Sequence, residues 1–442
     1  MGSPHPALVE VRPDLARFRI HRSAYRSAEV FEQEKRQIFD KCWLYLGHVT
    51  ELKNKGDYLT RRVGGRDLVF VRGSDDAIHA FFNSCTHRGT PVCREARGNS
   101  KNFTCPYHGW VFSNTGNLRS TSSEAGYRGD LNEDGRLNLK RVPRLEDYRG
   151  FYFVNFNANA ISLYDYLAGA RAQIDAICDQ TPNRQVILPG EHTYSVRANY
   201  KLLCENSYDG YHLTSVHASY IDFLRDQAAG TPAAGQVDKV MGQFATQGQG
   251  RALGNGHAVL ESYVPTGRPV AFWIPPWGAE VKKEIDAKRA WLEAQYGVER
   301  AQYISEVQKN LVIFPNLVIN DILSITVRVI EPDGPNFLRV SAWAMGPEEE
   351  SAALRAIRLD NFISFLGPAG FGSPDDIEML ELCQRGIEHT PVEWTELSKG
   401  MNWTDDPAGH SAPPDCEVHM QAYWHQWDRM IRGIDSLERA AA

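Results

Sequence analysis

Residues 30–42 (VFEQEKRQIFDKC) repeat apolar side chains every third or fourth position, the period of an amphipathic helix. From Trp43 onward the period shortens. Residues 57–62, 67–72 and 77–83 are short β-rich runs, parted by Gly64-Gly65 and by Gly73-Ser74-Asp75-Asp76, both turn formers. Residues 103–112 extend the pattern to a turn at Asn114-Thr115-Gly116-Asn117, and 150–156 (GFYFVNF) has the texture of a buried strand. The spacing predicts a compact all-β unit over 43–160, preceded by a helical segment within 1–42 that packs on the C-terminal domain. Beyond the β unit, 281–296, 351–365 and 375–389 carry helical patterns. Residues 311–319, 324–330 and 337–345 carry strand patterns, the last two joined at Pro332-Asp333-Gly334-Pro335-Asn336. Strands followed by helices predict an α+β domain over 161–442, an antiparallel sheet flanked by helices. Residues 229–257, rich in Gly, Gln and Ala, read as a mobile loop.

Charge and composition change this picture little. The net charge of −7 and the lack of any long basic run exclude a nucleic-acid surface. No apolar run reaches the roughly 18 residues of a membrane span, and no basic segment leads into an apolar one at the N-terminus. The eight cysteines therefore belong to a reducing, cytoplasmic setting, where cysteines beside histidines are metal ligands before they are disulfides.

Two short segments fit that expectation. Cys85-Thr86-His87-Arg88-Gly89 and Cys105-Pro106-Tyr107-His108-Gly109-Trp110 each offer one thiol and one imidazole, with glycines that let the chain turn tightly. Two thiolates and two imidazoles suit a tetrahedral zinc or a Rieske [2Fe–2S] centre. Zinc fingers usually group their cysteines in one knuckle and histidines in the other, so mixed knuckles disfavour zinc. Cys93 has no histidine at ligand spacing and reads as structural. The pattern does not by itself separate an oxygenase from an iron–sulfur electron carrier.

A second cluster runs from Glu205-Asn206-Ser207-Tyr208-Asp209-Gly210-Tyr211-His212 to Leu213-Thr214-Ser215-Val216-His217. Two histidines five apart do not share a face of an ideal helix, so binding one ion requires a break between them. The plain alternative is a helix-capping His212 and a surface His217. Two histidines and a carboxylate on one face of Fe(II) is the usual non-heme oxygenase design. The best carboxylate candidates are Asp375 and Asp376, after Leu366-Gly367-Pro368-Ala369-Gly370-Phe371. By themselves these aspartates could simply favour the positive end of a helix.

In order and extent, the two knuckles, the E-N-x-x-D-x-Y-H-x₄-H segment and G-P-A-G-F with paired aspartates resemble the large (α) subunit of Rieske non-heme iron aromatic ring-hydroxylating dioxygenases. The resemblance spans nearly the whole chain. It implies a Rieske cluster on Cys85, His87, Cys105 and His108, and a mononuclear Fe(II) on His212, His217 and Asp376. It also implies a bridging role for Asp209, with Asn206 beside it. It implies a terminal oxygenase that uses O₂ and electrons from NADH to add two hydroxyls to an aromatic hydrocarbon or carboxylate. Some relatives monohydroxylate or demethylate instead. A separate reductase, a ferredoxin or both would deliver the electrons. No Gly-rich dinucleotide fingerprint follows a strand here, in keeping with that division of labour. An α₃ ring, often with three β subunits, is the expected assembly. Residues 220–260, the stretch around Phe314 and Leu366 are expected to wall an apolar pocket for a flat ring. The texture of residues 41–48 and 205–212 resembles enzymes of monocyclic aromatic acids such as p-cumate.

Overall fold

The computed structural model describes residues 7–122, 124–129, 131–230, 235–244, 246–264, 267–269, 273–402, 411–435 and 437–438. It divides into two compact units. One gathers the described residues of 1–38 and 164–436, the other those of 39–163 and 437–442.

The smaller unit is all β. Ile78–Phe82, Arg66–Arg72, Asp57–Val63 and Arg97–Asn99 form a four-stranded antiparallel sheet in that spatial order. Val63 pairs with Arg66 across Gly64 and Gly65. Both glycines have positive φ (56° and 77°), the mirror-image turn that a two-residue hairpin needs. The predicted strand over 103–112 is two strands, Asn102–Thr104 and Val111–Ser113. The tight loop 105–110 interrupts it. A core of Val69, Val71, Phe81, Phe103, Trp110 and Phe112 lies under these sheets.

The larger unit is built on a nine-stranded antiparallel sheet. Its middle is Phe337–Pro347, Ile325–Gly334, Leu317–Asp321, Gln308–Ile313, His257–Ser262 and Gly248–Gly254, each bonded to the next. The run 311–319 is thus a hairpin rather than one strand, because Phe314, Pro315 and Asn316 turn the chain between Ile313 and Leu317. The stretch 229–257 is likewise not a loop throughout. Gln236–Phe244 is helical and Gly248–Gly254 pairs with His257–Ser262, while 231–234 and 245 lie outside the described residues. Small residues suit that hairpin: a Cβ on Gly250 would collide with the His419 ring.

The helices follow their apolar stripes. Ser351 Oγ accepts the Leu354 N–H and starts Ala352–Ser364, which buries Leu354, Arg358 and Phe362 at four-residue steps. Ser373–His389 begins two residues before Asp375, with Pro374 in its first turn. Its buried stripe is Ser373, Asp376, Leu380, Gln384 and Ile387, so Asp376 points inward and Asp375 does not. Asp375 accepts a hydrogen bond from Ser219 Oγ at 2.7 Å. Near the N-terminus, Ser27 caps Ala28–Glu34, which continues as one π turn to Phe39.

Candidate functional site

The two Cys/His knuckles have the same internal geometry. The Gly89 N–H returns to the Cys85 carbonyl at 2.8 Å, and the Gly109 N–H to the Cys105 carbonyl at 3.0 Å. The Cys85 N–H reaches the Thr90 carbonyl, and the Cys105 N–H the Trp110 carbonyl, both at 2.8 Å. Both glycines take positive φ (81° and 68°), which closes each loop around its ligands. The loops face each other. The His87 and His108 rings are 4.6 Å apart, and His87 stacks on Trp110 with an interplanar angle of 5°. His87 Nδ1 is buried without a partner. Burial and the neighbouring Cys105 raise the Cys85 thiol above its ordinary value. The protein alone thus favours the thiol, and a bound metal is needed to hold the thiolate. These four donors do not converge on one point. Among the described residues only His212, His217 and Asp376 offer three donors within 4.8 Å of one another. A spread set of two thiols and two imidazoles fits a two-iron cluster rather than one zinc ion. Cys93 stands apart: its backbone is clasped by the Asn83 amide, and burial pushes its thiol up to about 12.

The second centre is assembled from three helical segments. Tyr200–Asn206 delivers Asn206, whose side-chain amide donates to Asp376 Oδ1 at 3.0 Å. The chain then passes Asp209 into the short helix Leu213–Val216, flanked by His212 and His217. The break required between the histidines lies at His217 (φ −93°, ψ 34°), where that helix stops and Ala218–Ala228 starts. It turns both rings to the same point. His212 Nε2 and His217 Nε2 are 3.2 Å apart, and Asp376 Oδ1 lies 3.4 and 3.5 Å from them. Donors at right angles, each about 2.1 Å from one ion, sit about 3.0 Å apart, so this triangle suits a facial two-histidine, one-carboxylate site. His217 Nδ1 is buried without a partner.

Asp209 backs the triad. Its Oδ2 lies 3.1 Å from His212 Nδ1, close but not aligned as a hydrogen bond. Its Oδ1 accepts the Tyr211 N–H at 2.7 Å. Burial opposes its charge, yet the His212 ring and the Tyr211 N–H outweigh burial and hold Asp209 below the usual carboxylate range. In return, Asp209 and Asp376 outweigh burial at His212 and raise its pKa. Nearby Glu205 has a different part. It accepts from Tyr25 Oη and Trp424 Nε1, and burial pushes it up to about 7.

His212, His217 and Asp376 line a cavity of about 490 Å³. Its walls come from Tyr220, Ile221 and Leu224 on one helix, Val240, Met241 and Phe244 on another, and Leu260, Phe365 and Leu366 beyond. Leu366 lines the cavity. Phe314 does not. It is fully buried at the hairpin end, its ring against Tyr423 at 4.9 Å and its N–H donated to His257, and it does not line the cavity. Sequence reasoning missed the polar wall residues Ser207, Asn310, Asn320 and Arg328. The one available signal for Arg328 was a charge inside an apolar strand run.

A model of the Rieske [2Fe-2S] domain matches residues 42–133, and a model of the ring hydroxylating alpha subunit catalytic domain matches 188–433. The chain belongs to the ring-hydroxylating oxygenase α subunits. This α subunit is 32% identical to the 2-halobenzoate 1,2-dioxygenase large subunit of Burkholderia cepacia, over 97% of this chain and 92% of that one. It is 30% identical to the anthranilate 1,2-dioxygenase large subunit of Acinetobacter baylyi, over 98% and 93%. Its fold matches naphthalene 1,2-dioxygenase from Rhodococcus sp. bound to indole, with a TM-score of 0.80, 24% identity and 94% of each chain covered. The all-β Rieske domain and the α+β catalytic domain are those of the family. The α subunit is an oxidoreductase, a ring-hydroxylating dioxygenase component. Its cofactors are a [2Fe–2S] cluster and a mononuclear iron, with O₂ as co-substrate and NADH-derived electrons arriving through partner proteins. Among the described residues no helix is long and apolar enough to cross a membrane.

Proposed function

We propose that this α subunit cis-dihydroxylates a single-ring aromatic substrate in the 490 Å³ cavity, with His212, His217 and Asp376 holding Fe(II) on its wall and Cys85, His87, Cys105 and His108 holding the cluster. The observation that carries the reading is the position of three converging donors on the wall of an otherwise largely apolar chamber. When bound, the iron supplies open positions for O₂ and the cluster supplies stored electrons. Both oxygen atoms, two electrons and two protons are then added across one ring edge. The chain's own side chains orient and enclose. Asn206 fixes one oxygen of Asp376, the Asp209 carboxylate stands 3.1 Å behind the His212 ring, and the apolar walls exclude water from the ring. The two relatives above are named for ring acids, halobenzoate and anthranilate, which supports a monocyclic substrate.

Asp209 is the bridge by which electrons pass between subunits in this reading. A ring of three α subunits, with or without β subunits, gives every chain the same head-to-tail contact. The Asp209 side chain is 21% exposed, leaving one side open to the partner subunit's His108. Tyr211 beside it and Tyr107 beside His108 are 55% and 56% exposed, area that such a contact would cover. None of the eight cysteines is paired in a disulfide, which supports a reducing cytoplasm.

Asp209→Asn keeps the size of the side chain and removes its charge. Both metal sites are expected to stay full. With substrate and O₂ the reduced wild-type cluster re-oxidises and product forms; in the variant the cluster stays reduced and product falls by about 10- to 100-fold. Near-normal turnover in Asp209→Asn would end the bridging role.

A further inference from the structure

Among the described residues of the larger unit, four of the five buried Lys and Arg side chains have a carboxylate partner and Arg328 does not. Arg268 meets Asp321 at 2.5 Å, Arg358 meets Glu350 at 2.6 Å and Lys201 meets Glu34 at 2.6 Å. Lys309 lies 3.8 Å from Asp321. Arg328 is 3% exposed and has no carboxylate within ion-pair distance among the described residues. Its Nη2 donates to Ser207 Oγ at 3.2 Å, and its Nε is buried without an acceptor. Ser207 is itself committed, since its hydroxyl donates to the Leu203 carbonyl at 2.6 Å. One neutral hydroxyl is poor compensation for a buried guanidinium.

The strand fixes this group in place. Arg328 sits mid-strand in Ile325–Gly334, opposite Val318 on one side and Ala342 on the other. It cannot swing to solvent, and it opens onto the cavity that His212, His217 and Asp376 also line. A guanidinium presents a planar fork that matches the two oxygens of a carboxylate. Leu260, Phe365 and Leu366 give the same cavity apolar surface. The complement of this chamber is a molecule with one anionic end and one flat apolar body.

We propose that Arg328 anchors the carboxylate of an aromatic acid and so sets both the substrate class and the ring edge presented to the metal triad. The inference rests on the proposed ring-hydroxylating role of the cavity, but the two can fail separately, because a neutral ring could be hydroxylated there without any anchor. Ser207 is a positioning residue in this account: it holds one arm of the guanidinium and leaves the rest for the ligand.

Benzoate and benzamide have the same shape and differ in charge, so calorimetric titration of each into the metal-loaded protein isolates the anchor. Wild type is expected to bind benzoate at least about tenfold more tightly than benzamide. Arg328→Gln should weaken benzoate about 30-fold or more and benzamide less than about threefold, with Arg328→Lys between. Circular dichroism and the visible cluster spectrum report whether each variant folds; should Arg328→Gln fail, the wild-type ratio and Arg328→Lys still decide. Equal wild-type affinity for the two ligands, or equal loss of both in Arg328→Gln, overturns the anchor. Hydroxylation of toluene by wild type with no preference for benzoate overturns the anchor and leaves ring hydroxylation standing. Absence of binding and of turnover with either ring overturns both.

Discussion

Within the first turn of Ser373–His389, position alone separates two aspartates. Asp376 falls on the buried stripe with Leu380 and Gln384, and its Oδ1 meets both histidines and the Asn206 amide. Asp375 falls off the stripe and takes the Ser219 hydroxyl. Asp376→Ala is therefore expected to lose about one of three irons per chain while keeping the visible cluster spectrum, and Asp375→Ala to keep all three. Metal analysis by plasma emission checks this; iron loss in Asp375→Ala alone would move the assignment by one residue. Candidate ligands were legible in the sequence because thiols, imidazoles and carboxylates at short spacing have few other uses. Arg328 was not, since a lone charge in a β run equally describes a side chain on a solvent face. Glu34 hid for the same reason. It sits in an amphipathic pattern as one polar residue among several, yet it is fully buried and takes Lys201 Nζ and Trp427 Nε1.

At the level of elements, periodicity located the helices it named and mistook three regions, 311–319, 229–257 and 103–112. Residues 281–296 and 351–365 sit within one to three residues of the observed Gly278–Tyr296 and Ala352–Ser364. The mistakes came where a turn is buried inside a run that reads as one strand, or where small residues mimic a loop. The hairpin at 314–316 turns on Phe-Pro-Asn inside an apolar run, and the Gly/Gln-rich stretch is a strand because His419 packs too closely for larger side chains. His257 secures the first of these regions. Its Nε2 pairs with the Tyr166 carbonyl at 2.7 Å and its Nδ1 accepts the Phe314 N–H at 3.0 Å, so only the neutral ring satisfies both. Burial pushes its pKa down to about 4. The folded value lies below the unfolded value of about 6.5, so this stabilisation is complete above about pH 6.5 and is lost as pH falls toward 4. Urea unfolding should show wild type losing about 2 kcal/mol between pH 7 and pH 5 that His257→Gln does not lose. Parallel pH slopes for the two proteins would contradict the assignment.

For the whole molecule, the order of knuckles, histidine pair and aspartate along the chain is the order in which the two units are built, so the two-centre plan is legible in the sequence alone. The chamber is not, because its walls come from segments between 206 and 414, and only the folded chain brings Leu260, Arg328 and Phe365 into one cavity with the triad. In this chamber both atoms of one O₂ molecule are expected to enter an aromatic ring. Turnover of benzoate under ¹⁸O₂ in unlabelled water, with NADH and a matched reductase, tests it by mass spectrometry of the product. The expected product is a cis-diol that carries two ¹⁸O atoms per molecule. A product with a single ¹⁸O, or NADH consumption with no oxygenated ring, would contradict it.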